Sequence, residues 1–173
     1  YKRQVCGPVS FALHPGERVV LDGKNGSGKS SLLKVLLGES IPHSGTITTS
    51  AGLVVSYVPQ DTAHLNGLLS HFAEKHHLDE SLFKGILRKM GFERVQFEKK
   101  MEDFSAGQKK KVLLAASLCQ PAHLYVWDEP LNFVDLHTRL QITSLLRQAQ
   151  PTMLFVEHDR AFQEEIATQK ISL

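Results

Sequence analysis

The sequence predicts an α/β fold in which a mostly parallel β-sheet is flanked by helices. Apolar runs of strand length alternate with segments of helical periodicity, a pattern typical of strand–helix–strand units. The β-branched run from Arg18 to Gly23 precedes a glycine-rich stretch, and the segment from Lys29 to Leu37 places its leucines on one helical face. This strand, loop and helix form the first unit of the predicted sheet.

The elements after this unit are predicted in order along the chain. Residues 45–60 indicate two strands around a turn, and Pro59 ends the second. From about Asp61 to Asp103 the spacing becomes helical, with Asp79 as an N-cap and Gly91 as a stop signal. We therefore expect one domain over residues 1–173, with residues 61–103 inserted as a small helical subdomain.

The strand–helix alternation returns in the last part of the chain. It predicts a helix over 107–119, a strand over 123–128, a helix over 136–148, a strand over 152–158, a short helix and a final strand over 170–173. Because the chain begins at Tyr1 and stops inside a predicted strand, we expect it to be a piece of a longer polypeptide.

The composition is that of an ordinary globular domain. The chain has 173 residues, 42% of them hydrophobic and 22% charged, and its formal net charge is +2. The chain therefore has no overall positive charge large enough to attract nucleic acid or an anionic membrane. A local basic patch remains possible. No apolar run approaches the about 18 to 20 residues that a membrane span needs. Cys6 and Cys119 lack CxxC spacing, which favours a reduced, cytoplasmic protein.

The stretch GKNGSGKS, Gly23 to Ser30, fits the pattern G-x-x-x-x-G-K-[ST] between a predicted strand and a predicted helix. Its glycines let backbone N–H groups cradle phosphate oxygens, and the helix N-terminus adds partial positive charge. Lys29 is expected to reach the β- and γ-phosphates, and Ser30 to ligate Mg²⁺. An ordinary glycine–serine turn is the alternative, but the context favours a nucleoside triphosphate site formed by Asn25, Gly26, Ser27, Gly28, Lys29, Ser30 and Ser31.

The stretch HLYVWDE ends an apolar strand in two adjacent carboxylates, Asp128 and Glu129. The carboxyl ends of parallel strands line the ligand crevice of such sheets, so both side chains are expected to face the nucleotide. Asp128 is suited to hold Mg²⁺, which takes one or two carboxylates and keeps several waters. Glu129 can act as a general base on the water that attacks the γ-phosphate. A surface turn that merely ends the strand is the alternative.

Further polar segments are compatible with the same crevice. Gln60 and His158 each end a predicted strand, although such residues are more often satisfied polar groups. In FSAGQ, Ser105 is a natural N-cap and Gly107 lies in the first turn, which indicates either an anion site or an ordinary capped helix. The next residues, Lys109–Lys111, are interpreted as a solvated helix face in preference to a contact with RNA phosphates.

Together and in this order, these motifs resemble the nucleotide-binding domain of the ATP-binding cassette (ABC) family over nearly the whole chain. GKNGSGKS resembles its Walker A motif, YVPQD its Q-loop, FSAGQ its signature, LYVWDE its Walker B motif, LNFVD its D-loop and VEHD its switch histidine. The resemblance implies a P-loop NTPase (RecA-like) fold with an N-terminal antiparallel β part, and ATP and Mg²⁺ as ligands. It assigns catalysis to Glu129, His158 and Gln60, and the metal to Ser30, Gln60 and Asp128.

The resemblance also implies a partner. In the family two such domains meet head to tail, and the signature of each closes over the ATP of the other. A second ABC cassette is thus expected, with Ser105, Gly107 and Gln108 acting in trans and Asp135 of the D-loop joining the site. Tyr1 is expected to be the stacking aromatic upstream of Walker A, and an isolated copy to bind ATP weakly.

The stretch EPLNFVD suggests a branch of the family. Asn132 and Asp135 make it similar to the EPTNHLD-like motif of the F subfamily, whereas transporter domains usually carry a sequence like EPTSALD. The F-type resemblance implies the second cassette of a ribosome-bound ATPase, either a translation factor or an antibiotic-resistance protein that protects the ribosome. The alternatives are the ATPase subunit of a membrane transporter, with a permease as partner, and a P-loop ATPase of another use.

Overall fold

The protein is described by a computed structural model that covers residues 6–173. It contains a five-stranded sheet in the order β2-β3-β4-β1-β5. Every pair of neighbouring strands is parallel, which confirms the predicted parallel sheet. The strands are β1 Arg18–Asp22, β2 Val55–Val58, β3 Leu124–Asp128, β4 Met153–Val156 and β5 Gln169–Ser172.

Seven helices and one 3-10 turn connect the strands within residues 6–173. They are α1 Lys29–Leu36, α2 Leu69–Lys75, α3 Glu80–Lys89, α4 Arg94–Glu98, the 3-10 turn Met101–Asp103, α5 Ala106–Cys119, α6 Leu136–Ala149 and α7 Arg160–Ile166. The predicted N-cap of α3 is confirmed, because the Asp79 side chain accepts a hydrogen bond from the Leu82 backbone N–H at 2.8 Å. None of these helices has the length and apolarity that a membrane crossing requires.

Apolar residues cover both faces of the sheet. Because side chains alternate along a strand, Val20 and Trp127 belong to the larger buried cluster and Val19 and Val126 to the smaller. Residues of α5 and α6 fill the larger cluster, and Leu33 of α1 packs into the smaller one. The sheet is therefore the middle layer of the domain, as the near-continuous apolar strands predict.

The N-terminal antiparallel β part is not formed by the described residues. No strand precedes β1 in residues 6–17, and residues 45–50, predicted as a strand, form a loop whose residues are all exposed. Threonine and isoleucine favour strands because they fit a half-buried pleated surface. Residues 45–50 have no such surface and no partner strand, so their β-branched composition was misleading.

The strand order brings separate segments of the chain to one edge of the sheet. The loop after β1 leads into α1, Gln60 follows β2, Glu129 follows β3 and His158 follows β4. These four strands are neighbours and run in the same direction. Their carboxyl ends therefore meet, which is the position where open α/β sheets bind ligands.

Candidate functional site

A cavity of about 520 Å³ opens at this carboxyl edge. It unites the predicted phosphate loop with three residues predicted from separate strand ends, and it adds one residue, Asn132, to which the sequence analysis gave no place in the site. Its lining is Asn25, Gly26, Gly28, Lys29, Ser30, Ser31, Gln60, Glu129, Asn132 and His158.

The phosphate loop has the backbone shape that its glycines permit. Gly26 has φ 80° and Gly28, the N-cap of α1, has φ 93°, values in the left-handed region that favours glycine. Lys29 is only 6% exposed, and its Nζ donates to the carbonyls of Gly23 at 2.7 Å and Lys24 at 3.0 Å. An ammonium has three N–H donors, so at least one remains for a ligand in the cavity.

Asp128 is a buried carboxylate with an unpaired oxygen. It is 1% exposed, and its Oδ1 has no hydrogen-bond partner among the described residues. Burial raises the pKa of the Asp128 carboxyl, and the neighbouring Ser30 hydroxyl acts in the opposite direction. A buried, unpaired carboxylate oxygen next to a hydroxyl is an arrangement that a hard divalent cation satisfies, so these residues fit Mg²⁺. The Ser27 Oγ is likewise buried and has no hydrogen-bond partner within residues 6–173.

Glu129 is surrounded by three polar side chains. Its Oε2 accepts from Gln60 Nε2 at 2.9 Å and from Asn132 Nδ2 at 2.6 Å, and its Oε1 lies 3.5 Å from His158 Nε2. The backbone φ of Glu129 is 48°, a strained value for a residue with a Cβ. Such strain persists only where the surroundings fix the conformation, and Glu129 lines the same cavity as the phosphate loop.

The sequence analysis missed Glu157. This residue is 6% exposed, and its carboxylate accepts from the backbone N–H groups of Leu131 at 3.1 Å and His158 at 2.7 Å. It therefore joins the turn after Glu129 to the turn that carries His158. The available signal was a carboxylate in an otherwise apolar run, since such a group is rarely buried without partners.

Comparison with known proteins places the chain in a family. A family model described as "ABC transporter" matches residues 6–132. The chain belongs to the ABC transporter family. Its α/β fold agrees: a chain in the crystal structure of an archaeal ribosomal stalk protein with an archaeal ribosome recycling factor aligns with TM-score 0.77 and 27% identity, over 92% of this chain and 32% of that one.

Curated relatives of this ABC domain carry different names. It is 32% identical to the ATP-binding protein Uup of Caulobacter vibrioides, over 99% of this chain and 30% of Uup. It is 30% identical to the ribosome protection protein VmlR of Bacillus subtilis, over 98% of this chain and 31% of VmlR. It is 30% identical to the zinc import ATP-binding protein ZnuC of Acinetobacter baylyi, over 91% of this chain and 63% of ZnuC. The chain thus spans about a third of the first two relatives.

The signature segment of this ABC domain does not border the cavity. Ser105 caps α5 by accepting from the Gln108 backbone N–H at 3.2 Å, and the Gln108 side chain accepts from the Ser105 N–H at 3.0 Å. The lining of the cavity includes neither these residues nor Gly107. Gly107 instead lies against the D-loop, where a Cβ would clash with the carbonyl of Phe133.

The D-loop carboxylate Asp135 also lies outside the cavity lining. Its side chain caps α6 through the Thr138 N–H at 3.0 Å and pairs with Lys111 Nζ at 2.5 Å. Burial raises the pKa of Asp135, but the hydrogen bonds from Lys111 and Thr138 outweigh it and hold the pKa well below its usual value. The predicted stacking residue Tyr1 lies outside the described residues 6–173.

The interpretation of Lys109–Lys111 as a solvated face is wrong for two of the three residues. Lys110 is 2% exposed, and its Nζ donates to the carbonyls of Pro59 at 3.0 Å and Gln60 at 3.1 Å. Lys111 donates to the Met90 carbonyl at 2.5 Å in addition to its pairing with Asp135. Lys110 therefore connects α5 to the Gln60 loop, and Lys111 connects it to the end of α3 and the start of α6.

Proposed function

We propose that this ABC domain binds ATP with Mg²⁺ in the described cavity and hydrolyses it to ADP and phosphate when paired with a second cassette. The observation that supports this most is the position of Glu129. Its carboxylate lies in the same cavity as Lys29 and the phosphate loop, and neighbouring amides hold it there. A base at this point is in reach of a water that attacks a bound γ-phosphate.

In this proposal, different residues bind the phosphates, hold the metal and activate water. Residues 25–31 bind the phosphates through backbone N–H groups, and the Lys29 ammonium neutralises charge on the β- and γ-phosphates. Asp128, Ser30 and Gln60 would hold Mg²⁺ through their side-chain oxygens, and the bound cation would supply positive charge to stabilise the phosphates. Glu129 orients and deprotonates water, and His158 contacts the γ-phosphate.

We propose a paired arrangement because the signature residues do not line the cavity of their own chain. Ser105, Gly107 and Gln108 present a capped helix start away from the cavity. In a head-to-tail pair they would reach the nucleotide of the other cassette, with Asp135 in the contact between the two and Tyr1 stacking on the base. Residues 61–103, which contain α2, α3 and α4, are proposed to form a helical subdomain of each cassette.

We further propose a ribosome as the partner, with this chain as the second cassette of an F-type protein in the cytoplasm, acting in translation or in antibiotic resistance. Support comes from the EPLNFVD stretch and from the similarity to a protein named for ribosome protection. A second candidate is the ATPase of a transporter with a permease partner, which the similarity to a protein named for zinc import favours.

The test uses the full-length protein with Glu129→Gln. The amide keeps the shape of the carboxylate but not its basicity, so turnover should fall at least about 100-fold while ATP still binds. Because the variant should stay in the ATP-bound state, it should sediment with ribosomes when ATP is present and not in its absence. Glu164→Gln, on the exposed surface of α7, is the matched control and should behave as wild type.

The two parts of the proposal can fail separately. Wild-type turnover in Glu129→Gln would show that Glu129 is not the base. If Glu129→Gln loses turnover but does not sediment with ribosomes in the presence of ATP, the proposed ATPase activity still stands. The proposed partner would then change from the ribosome to a membrane permease.

A further inference from the structure

We propose that Asn132 is a positioning residue for catalysis, whose amide fixes the Glu129 carboxylate in the orientation that attack requires. This inference rests on the proposed role of Glu129 as the base. The Asn132 Nδ2 donates to Glu129 Oε2 at 2.6 Å, the shortest contact of that carboxylate with its three polar neighbours. Hydrogen bonds to an ionised acceptor are about twice as strong as neutral ones.

The two amides act on the same oxygen. Asn132 and Gln60 both donate to Oε2, whereas the polar contact of Oε1 within residues 6–173 is with His158 Nε2, at 3.5 Å. Gln60 lies 69 positions before Glu129 in the sequence, and Asn132 lies three positions after it. The two donors therefore reach Oε2 from separate segments of the chain and restrict rotation of the carboxylate. Oε1 is thereby the oxygen that remains to accept a proton from water.

The turn that carries Asn132 does not depend on this amide. The Leu131 N–H donates to Glu157 Oε2 at 3.1 Å, and the Leu131 carbonyl accepts from Arg139 Nη2 at 2.9 Å. The Arg139 Nε also donates to the Val134 carbonyl at 2.9 Å. Since the backbone is anchored on both sides of Asn132, removal of its side chain should leave the turn in place.

A turn-forming role would use different atoms. An asparagine that shapes a turn accepts a backbone N–H with its side-chain oxygen. In this domain the Asn132 side chain uses its N–H₂ group as a donor to another side chain, and its backbone N–H to Glu129 O distance is a long 3.4 Å. The Asn132 amide therefore holds the Glu129 carboxylate and does not stabilise the backbone of the turn.

The experiment compares Asn132→Ala with wild type in the full-length protein. If the amide positions the base, kcat should fall about 10-fold while the ATP concentration at half-maximal rate changes less than twofold, because the interaction serves the transition state only. Asn132→Asp, which has the same shape but no donor, should lose as much, and Asn132→Gln should recover part of the rate. Asn66→Ala, at an exposed position in the loop before α2, is the control.

A second arm places Asn132→Ala in the Glu129→Gln background. If Asn132 acts through Glu129, the residual single-turnover rate should not fall further, since residues that act as a unit are not additive. Full kcat in Asn132→Ala, an equal loss of ATP affinity, or an additive loss in the double variant would each overturn the inference. Wild-type turnover in Glu129→Gln alone would instead overturn the proposed function.

Discussion

Lys29 and Lys110 are buried to nearly the same extent, 6% and 2% exposed, and each donates to two backbone carbonyls. Lys29 belongs to the phosphate loop and Lys110 to the helix after the signature. Lys29 lines the cavity, whereas the lining does not include Lys110. The bonding of the two ammonium groups is alike, and their access to a ligand differs.

This difference distinguishes Lys29, which we propose to bind phosphate, from Lys110, which joins two segments of the chain. The carbonyl contacts of Lys29 hold its ammonium beside an open space where a phosphate can supply a further acceptor. Those of Lys110 join α5 to the loop that carries Gln60. Burial lowers the pKa of Lys110, while the charges of Asp128 and Glu129 act in the opposite direction. A buried lysine bonded to carbonyls is thus no evidence of a ligand unless it also borders a cavity.

The largest effect is expected from Lys29→Ala. Lys29 is the only lysine that residues 6–173 contribute to the cavity lining. Its removal should weaken ATP binding roughly 10- to 100-fold, because a charge-assisted contact to phosphate is worth roughly 1.5–3 kcal/mol. Lys24→Ala, at an exposed position in the same loop, should retain wild-type affinity. Titration with ATP measures both, and equal affinities for the two variants would contradict the distinction between them.

The next effect is expected from Lys110→Met, which keeps the apolar stem but removes the donors. Two carbonyls lose their partner, so the free energy of unfolding should fall by about 1–3 kcal/mol. Because the Gln60 loop is released, kcat should fall as well, with ATP affinity nearly unchanged. Lys109→Met, at the more exposed neighbouring position, is the control. If thermal unfolding and turnover are the same in both variants, Lys110 does not hold the loop.

A smaller effect is expected for the pair of Lys111 and Asp135. The two side chains are 13% and 50% exposed, so water screens part of their attraction. A double-mutant cycle with Lys111→Met and Asp135→Asn should give a coupling energy of roughly 1 kcal/mol in unfolding measurements. A coupling of zero would mean that the 2.5 Å contact does not stabilise the domain.

The smallest effect is expected in acid. The pKa of Asp135 lies below its usual value in the folded state, so its stabilisation is complete above the unfolded pKa of about 3.9 and is lost as the pH falls further. Asp135→Asn should therefore flatten the decline of unfolding free energy below about pH 4. Asp103→Asn, at an exposed site, should not. The same acid dependence in wild type and Asp135→Asn would argue against this role.

The sequence predicted the parts of the site that are local. The glycine pattern specifies the phosphate loop by itself, and the apolar run before Asp128 and Glu129 specifies a strand end. The strand predicted over residues 45–50 was wrong because propensity does not supply a partner strand. The positions of Gln60 and His158 were predicted correctly because all neighbouring strands run parallel.

The lysines of α5 could have been predicted better from geometry. Successive residues on a helix are about 100° apart, so three consecutive lysines cannot share one narrow solvent face. The next four residues, 112–115, are all buried, which identifies α5 as a helix enclosed on several sides. The contact between Asn132 and Glu129 could not have been predicted, since it depends on the positive φ of Glu129.

The contact between Gly107 and Phe133 links the position of α5 to the turn that carries Asn132. The start of α5 and the D-loop touch through a backbone carbonyl, with no side chain between them to absorb a shift. Phe133 is the residue next to Asn132, whose amide contacts Glu129 at 2.6 Å. A displacement of α5 toward the D-loop would press on the Phe133 carbonyl and could be transmitted to this turn, and a hydrogen bond weakens as its length and angle depart from their preferred values. With Glu129 in its proposed role as the base, the position of a helix that does not border the cavity would thereby affect the rate of hydrolysis inside it.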